Sequence, residues 1–265
     1  MTGEPRPLSP ADVVVARPAS GVLQLTLARP EARNALRTQT LAEIAAALDT
    51  AAVDDTVRCV VITGGSRHFA AGADLREMAP LGPEAILKHE RQRHWRTITG
   101  FPKPIVAAVC GHALGAGCEL ALCADIIVAG SNAQFGQPEI NLGMIPGAGG
   151  TQRLPRIVGK PLAMQMVLTG QPIDARTALA AGIACEVDEP ESALARAVEI
   201  ATQVATRPPL AVRAAKAAVL SAFELPLAEG LAREREAFAA LAATHDRNEG
   251  IAAFLEKRPP RFTGE

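Results

Sequence analysis

The spacing of apolar residues along the first half of the chain predicts strands that alternate with helices. Residues 22–27 alternate apolar and polar side chains as a half-buried strand does, and residues 38–48 place apolar side chains at helical intervals. Strands covered on both faces are predicted for the short, largely apolar runs at 59–63, 105–109 and 126–128. Helices are predicted between these runs, at about 84–99 and 118–123, so the order of elements indicates an α/β fold.

Beyond about residue 160 the pattern changes to alanine-rich helical segments. We predict helices there at 161–168, 193–206, 210–220, 227–242 and 248–257, and expect this part to be all helix. Residues 1–12 are rich in proline and carry no apolar cluster, so they are predicted to be a flexible leader and not a secretory signal.

One C-terminal helix carries an apolar stripe of Leu227, Leu231, Phe238 and Leu241. Such a stripe is either a face that packs on the core or a contact between subunits. The charged run at 233–236 on the same helix is typical of a solvated face.

Composition limits the classes of partner. The 265 residues carry a net charge of -1, so no global field favours nucleic acid or an anionic membrane. The longest apolar region is interrupted by His112, Glu119 and Asp125, so no membrane segment is predicted. Five cysteines form no CxxC pair, and most lie in apolar stretches as free thiols of a reduced compartment do, which favours the cytoplasm.

Several catalytic motifs are missing from the sequence. No GxGxxG or Walker loop, no GxSxG elbow and no HExxH or comparable metal-binding set of histidines is present. The sequence therefore predicts chemistry without a bound metal and without a separate cofactor.

Two glutamates, Glu119 and Glu139, are the strongest candidates for acid/base chemistry. Each follows a stretch of small residues that leaves backbone N–H groups free to face a ligand. Taken alone, Glu119 has the ordinary interpretation of a carboxylate in the first turn of a helix, and Glu139 that of a solvated loop residue. Their occurrence together with two candidate N–H donors favours the catalytic interpretation.

The two candidate donors are the backbone N–H groups of Ala73 and Ala116. In the stretch 69–75, residues 70–73 are alanine or glycine, and Asp74 is placed to cap a following helix. Gly115 and Gly117 flank Ala116 at the start of the helix that contains Glu119, where the helix dipole favours negative charge. Together the donors would form an oxyanion hole.

At these residues the chain resembles the crotonase superfamily, the enoyl-CoA hydratases and isomerases. The resemblance rests on motifs at residues 33–36, 69–75, 111–125, 135–140, 145–154 and 252–258, and it covers essentially everything after the leader. It implies that residues 13–200 form a spiral of ββα units, and that residues 201–265 hold homotrimers that usually pair as hexamers.

The resemblance also implies the substrate and the roles of the site residues. An acyl-CoA would bind with its thioester carbonyl between the N–H groups of Ala73 and Ala116, although the family commonly has glycine at the second position. Glu119 would assist the attack of water on C3, Glu139 would deliver a proton to C2, and the N–H of Gly147 would help to position this region. No other cofactor is implied, because coenzyme A is part of the substrate.

Contacts to the coenzyme A moiety are carried over more loosely. By resemblance they fall at Ala32, Arg33, Leu36, Ala71, Asp74, Leu75, Phe254 and Lys257. The last two lie in the C-terminal helix, which the resemblance allows to come from a neighbouring subunit. Arg33, Arg76 and Lys257 would supply positive charge to the phosphates, although each is otherwise an ordinary surface cation.

Family isomerases commonly keep one of the two carboxylates, so the presence of both favours a hydratase, with an isomerase as the alternative. Some relatives bind RNA, but an aromatic content of 3% and the near-neutral charge argue against this. Residues 69–78, 122–130 and 241–257 most resemble the branch of the family that hydrates 2,3-dehydroadipyl-CoA in bacterial phenylacetate degradation. A cation of the basic segment 88–96 would then receive the substrate's terminal carboxylate; the alternative is a solvated helix face.

Overall fold

The computed structural model describes residues 11–265. Most of the predicted leader, residues 1–12, therefore lies outside the described residues. Asp12, at its end, is buried, and its carboxylate accepts hydrogen bonds from the Arg37 side chain at 2.7 Å and from Thr40 Oγ1 at 2.5 Å. The fold thus includes at least the last residue that the sequence assigned to the leader.

Residues 11–265 contain ten β-strands. In chain order they are β1 (Val13–Ala19), β2 (Val22–Leu27), β3 (Cys59–Thr63), β4 (His68–Ala70), β5 (Ile105–Val109), β6 (His112–Leu114), β7 (Ile126–Gly130), β8 (Gln134–Gly136), β9 (Ile173–Asp174) and β10 (Glu186–Asp188). The predicted strands at 22–27, 59–63, 105–109 and 126–128 are confirmed.

The strands form two sheets. The larger sheet has the order β1-β2-β3-β5-β7-β10, in which all neighbours are parallel except β1 and β2. The smaller sheet has the order β4-β6-β8-β9 and is parallel from β4 to β8. The pairs β3 and β4, β5 and β6, and β7 and β8 each place one strand in each sheet, so successive ββα turns stack as the resemblance implies.

Helices connect and cover these strands. They are α1 (Thr38–Val53), α2 (Leu75–Met78), α3 (Pro83–Lys88), α4 (Arg91–Thr99), α5 (Ala116–Ala121), α6 (Gly150–Thr169), α7 (Ala175–Ala180), α8 (Ala193–Ala205), α9 (Pro209–Ser221), α10 (Leu227–Leu241) and α11 (His245–Leu255). The single helix predicted at 84–99 was wrong, because extended backbone at His89 separates α3 from α4. The all-helical C-terminal part was also wrong, because β9 and β10 add to the two sheets.

Both faces of the larger sheet are covered. Leu41, Ile44 and Leu48 of α1 are fully buried on one face, as their helical spacing predicts. On the other face, α8 presents Ala193, Ala197, Ala201 and Ala205, whose small side chains pack against the strands. Helix α8 crosses residue 200, so it joins the predicted core to the predicted C-terminal region.

The C-terminal helices carry much of the exposed apolar surface. On α10, Leu227 and Phe238 are both 78% exposed, and Leu231 is 46% exposed. Within one subunit the predicted stripe is therefore not a core face. Within residues 11–265, no helix is long and apolar enough to cross a membrane.

Candidate active site

A single cavity brings together the residues on which the sequence prediction depends. Its lining includes Glu119, Glu139, Ala73, Ala116 and Gly147. The reason lies in the smaller sheet, where β4, β6 and β8 run parallel and therefore end at the same edge. The Ala73 loop follows β4, α5 follows β6, and the turn that carries Glu139 follows β8.

Glu119 lies in the first turn of α5 and is 2% exposed. Its Oε1 accepts hydrogen bonds from the N–H groups of Ala148 at 2.7 Å and Gly150 at 2.8 Å. Burial raises the pKa of the carboxyl group, and the two N–H donors act in the opposite direction. Because Oε1 is held in this way, Oε2 is the oxygen left for a ligand.

Glu139 lies in a 3₁₀ turn, Pro138–Leu142, and is partly buried. Its Oε2 is buried without a hydrogen-bond partner among residues 11–265. Burial raises the pKa of Glu139 to about 7, and the negative charge of Glu119 adds to this effect. A glutamate with this pKa is partly protonated at neutral pH, as a proton donor must be.

Gly115 separates Glu139 from α5. It has a φ of 49°, and a Cβ atom placed on it would lie 2.8 Å from Oε1 of Glu139. Both observations exclude a larger residue without strain. The glycine therefore lets the Glu139 carboxylate approach the start of the helix that carries Glu119.

The N–H of Ala73 is directed away from the neighbouring strand segment. Leu36 pairs with Ala73 in a parallel bridge, in which the Leu36 N–H donates to Gly72 O at 2.7 Å and the Asp74 N–H donates to Leu36 O at 3.0 Å. In such a bridge the N–H of the middle residue points outward. Asp74 caps α2 by accepting from the Arg76 N–H at 3.3 Å, as predicted.

Ala116 is the first residue of α5, so its N–H has no partner within the helix. It is not among the residues with positive φ, and the alanine therefore fits where the resemblance commonly places glycine. A Cβ atom on Gly72 would lie 3.4 Å from Leu114 O, which shows how closely the loop of Ala73 approaches the chain that enters α5. The two candidate donors are thus neighbours in the cavity wall.

The loop that ends at α6 closes the site beside Glu119. Gly147 and Ala148 both line the cavity, and Arg153 Nη1 donates to Ala148 O at 2.8 Å. This bond fixes the peptide that follows Ala148. The sequence motif indicated Gly147, but the N–H donors that reach Glu119 belong to Ala148 and Gly150.

The candidate contacts to coenzyme A are divided between the cavity and other places. Ala71 and Leu75 line the cavity, whereas Ala32 and Arg33 do not. Arg33 is connected to the cavity wall through its carbonyl oxygen, which accepts a hydrogen bond from the Ala71 N–H at 3.0 Å. Leu36 is fully buried. Asp74 forms an ion pair with Arg29 at 3.1 Å.

Phe254 and Lys257 do not line this cavity within one subunit. Phe254 is 83% exposed on α11, and Lys257 follows that helix with a φ of 55°. Their assignment to coenzyme A binding stays a prediction, which the resemblance connects with a neighbouring subunit.

For the rest of the cavity lining, the sequence indicated the segment 88–96 but no single residue of it. Most of these lining residues are apolar, namely Met78, Leu81, Ile86, Trp95, Leu142, Met144 and Ile145. The polar ones are His89, Arg91 and Gln92. The basic character of residues 88–96 was visible in the sequence. The burial of one cation of this segment was not visible in the sequence, because burial depends on how α2, α3 and α4 fold over the cavity.

Comparison with known proteins places these features in a family. The sequence model of a family described as enoyl-CoA hydratase/isomerase matches residues 17–265. A 2,3-dehydroadipyl-CoA hydratase of Escherichia coli (strain K12) is 51% identical over 254 residues, which are 96% of this chain and 99% of that protein. A mitochondrial enoyl-CoA hydratase of Pongo abelii is 46% identical over 91% of this chain and 83% of its own length.

The solved structures agree with the sequence relatives. The crystal structure of an enoyl-CoA hydratase from Bacillus anthracis superposes with a TM-score of 0.91 at 35% identity and covers 96% of this chain and 100% of that one. At this level of identity and coverage the match includes both sheets and the C-terminal helices.

Proposed function

The chain belongs to the enoyl-CoA hydratase/isomerase family, and from this premise we propose that it is a hydro-lyase that adds water across the 2,3 double bond of an enoyl-CoA. The observation that supports the proposal most is the meeting of Glu119, Glu139 and the backbone at Ala73 and Ala116 in one cavity. Hydration of a conjugated thioester needs an acid, a base and a site for negative charge. The cavity contains candidates for all three.

Negative charge develops on the thioester oxygen as water attacks C3. Two N–H donors fixed at Ala73 and Ala116 would stabilise this charge most strongly in the transition state. Removal of one such donor lowers kcat by roughly 10²–10³-fold in comparable enzymes. Because both donors belong to the main chain, they are held in place before the substrate arrives.

The two glutamates have environments that suit different roles. Burial raises the pKa of Glu119, but its Oε1 accepts hydrogen bonds from two N–H groups that act against this rise, and Oε2 is left to orient and deprotonate water. Glu139 has a pKa raised to about 7 by burial, which suits a residue that transfers a proton to C2. We therefore assign Glu119 to the attack of water and Glu139 to protonation.

Hydration of crotonyl-CoA by the purified protein tests the proposal. Glu119→Gln and Glu139→Gln are each expected to lower kcat by roughly 10²–10⁴-fold, because each removes an acid/base group and keeps the volume of the side chain. Glu191→Gln, on the exposed surface, is the matched control and should keep wild-type activity. Absence of hydration in the wild type would contradict the proposal, and faster turnover of a 3-enoyl-CoA would favour an isomerase.

The substrate is proposed to be a thioester whose acyl chain ends in a carboxylate, such as 2,3-dehydroadipyl-CoA in phenylacetate degradation. The E. coli relative at 51% identity is named for this substrate. We also propose a cytoplasmic location and a homo-oligomer, a trimer or a pair of trimers, in agreement with the exposed apolar stripe on α10.

A further inference from the structure

One cation of the basic segment 88–96 differs from the others in its surroundings. Arg91, the first residue of α4, is 6% exposed and lines the cavity that contains the two glutamates. Lys88, Arg93 and Arg96 are exposed and do not line it. The structure therefore separates one buried guanidinium group from a solvated face.

The guanidinium group of Arg91 is only partly satisfied. Its Nη2 donates to Leu36 O at 3.2 Å, while its Nη1 is buried without a hydrogen-bond partner among residues 11–265. Buried arginine nitrogens nearly always have partners, because an unpaired one loses its hydration without replacement. An unpaired nitrogen in a cavity wall is an available donor for a ligand.

The nearest carboxylates are already engaged elsewhere. Glu77 Oε2 forms an ion pair with Arg91 Nη1 at 3.5 Å but no hydrogen bond, and it accepts hydrogen bonds from the Thr38 N–H at 2.7 Å and from Thr38 Oγ1 at 2.8 Å. Asp74, the other acidic neighbour, is paired with Arg29 at 3.1 Å. Neither carboxylate satisfies Nη1, although both help to keep the arginine charged in a buried position.

The position of Arg91 fits the far end of a short acyl chain. Arg91 is bonded to Leu36, which forms the bridge with Ala73, so the guanidinium group lies close to the proposed binding site of the thioester. Apolar side chains such as Leu75, Met78 and Trp95 line the same cavity. An acyl chain held at Ala73 would contact these apolar walls and meet the positive charge of Arg91 in the same cavity.

We propose that Arg91 binds the terminal carboxylate of a dicarboxylic enoyl-CoA and so determines the substrate preference of the enzyme. The proposal rests on the proposed function, since it places the reacting thioester at Ala73 and Ala116. A terminal carboxylate would pair with Nη1 in a charge-assisted hydrogen bond. A neutral acyl chain would fill the cavity and leave Nη1 buried without a partner, which disfavours it.

His89 supports the geometry of this subsite. Its Nδ1 accepts a hydrogen bond from the Arg91 N–H at 3.3 Å, and its ring lines the cavity. With Nδ1 as the acceptor, the neutral ring carries its proton on Nε2. The ring of His89 thus offers a second N–H donor in the wall of the same cavity.

The decisive experiment compares two substrates of equal chain length. We expect wild-type kcat/KM to be higher for 2,3-dehydroadipyl-CoA than for hex-2-enoyl-CoA, and the ratio of the two values to fall by about a hundredfold in Arg91→Met. Arg93→Met, two residues along the same helix but exposed, is the matched control and should keep the wild-type ratio. Arg91→Lys keeps the charge without the forked geometry and should give an intermediate ratio.

A purely structural role for Arg91 predicts a different result. Loss of its bond to Leu36 would then lower kcat/KM for both substrates alike and leave the ratio unchanged, which would overturn the proposal. Failure of the wild type to hydrate hex-2-enoyl-CoA and dehydroadipyl-CoA alike would instead overturn the proposed function. The two failures are therefore distinguishable.

A binding measurement on the wild type covers the case in which Arg91→Met does not fold. Adipyl-CoA and hexanoyl-CoA carry no double bond and compete for the same cavity without reacting. Adipyl-CoA is expected to bind at least tenfold more tightly, because it alone pairs with Arg91. Equal inhibition constants for the two thioesters would contradict the subsite.

Discussion

Glu139 shows how the surroundings of one side chain fix its chemistry. Its partial burial and the nearby charge of Glu119 raise its pKa to about 7, and its Oε2 has no hydrogen-bond partner among residues 11–265. The ionised form is therefore disfavoured in the folded protein. The buried Glu139 carboxylate therefore lowers the stability of the folded protein, at a position where the proposed reaction needs a proton.

The sign of this effect leads to a prediction for Glu139→Gln. A carboxyl group whose pKa rises on folding, here from 4.5 to about 7, contributes stability below pH 4.5 and loses it as the pH rises through about 7. Glutamine does not titrate in this range. The free energy of unfolding of Glu139→Gln, relative to that of the wild type, should therefore be higher at pH 8 than at pH 4.5. Urea denaturation of both proteins at both pH values measures this difference. A difference independent of pH would contradict the raised pKa.

Glu119 and Glu139 were predictable as a pair because each lies in a motif with small residues. Their meeting in one cavity follows from the parallel order of β4, β6 and β8, which the short length of these strands concealed in the sequence. Arg91 was not predictable as a single residue. Its burial arises where α4 packs beside the Leu36 bridge, far away along the chain.

At the scale of elements, Gly117 allows α5 to pack closely against Ala70 of β4. A Cβ atom on Gly117 would lie 2.1 Å from Ala70 O, so any larger residue must push the helix away from the strand. We expect Gly117→Ala to destabilise the protein by about 1–3 kcal/mol and to lower activity, because α5 carries Glu119. Thermal unfolding and the hydration assay measure the two effects.

Gly230→Ala is the matched control for this substitution. Gly230 lies within α10, and a Cβ atom there would have no neighbour within 4 Å. Alanine favours a helix over glycine by roughly 0.5–1 kcal/mol, so this variant is expected to be more stable than the wild type. The same change at the two sites should therefore have opposite signs. Equal effects would show that the contact with Ala70 does not matter.

The C-terminal end of α1 depends on a buried lysine from another part of the chain. Lys103 is 5% exposed, and its Nζ donates to the carbonyl oxygens of Ala51 at 2.7 Å, Asp54 at 2.9 Å and Val57 at 2.8 Å. These groups include carbonyls that the helix leaves unpaired at its end. Lys103 lies just before β5 in the chain, so its side chain connects the end of α1 to the start of β5.

Lys103→Met is expected to lower the free energy of unfolding by about 2–4 kcal/mol, since it leaves buried carbonyls without a donor. Lys160→Met, at an exposed position of α6, is the control and should change stability by less than about 0.5 kcal/mol. Urea denaturation of both variants compares them directly. Equal stability of the two variants would contradict the role of Lys103.

The bounds of an element were predicted best where its own apolar pattern was long enough to define it. Strands β2, β3 and β5 have the predicted bounds, because β2 alternates apolar with polar residues and the other two are wholly buried. Strands β9 and β10 have two and three residues, which is too few to leave an alternating pattern. The sheets supply the partners that make these segments strands.

At the scale of the whole molecule, the C-terminal helices expose apolar residues that the proposed contact between subunits would cover. Leu227 and Phe238 on α10 are both 78% exposed, and large apolar patches are uncommon on monomers. The proposed trimer or hexamer would cover them. The sequence left two interpretations of this stripe open, and the structure of one subunit excludes the core face.

We expect the wild-type protein to elute as a homo-oligomer in size-exclusion chromatography with light scattering. Phe238→Asp is expected to shift it towards smaller species, because a charge in an apolar interface loses its hydration. Val53→Asp is the control, since Val53 is 83% exposed at the end of another helix, α1. Dissociation by both substitutions, or by neither, would contradict an interface on α10.

The N–H groups of Ala73 and Ala116 also bear on how such a protein can evolve. Every amino acid except proline keeps its backbone N–H, so almost no single codon change can delete either group. Arg91, in contrast, is lost with any replacement of its side chain. Gene duplicates can therefore exchange the side chains around the acyl chain freely while the main-chain hydrogens persist, and new substrate preferences can arise on an inherited reaction.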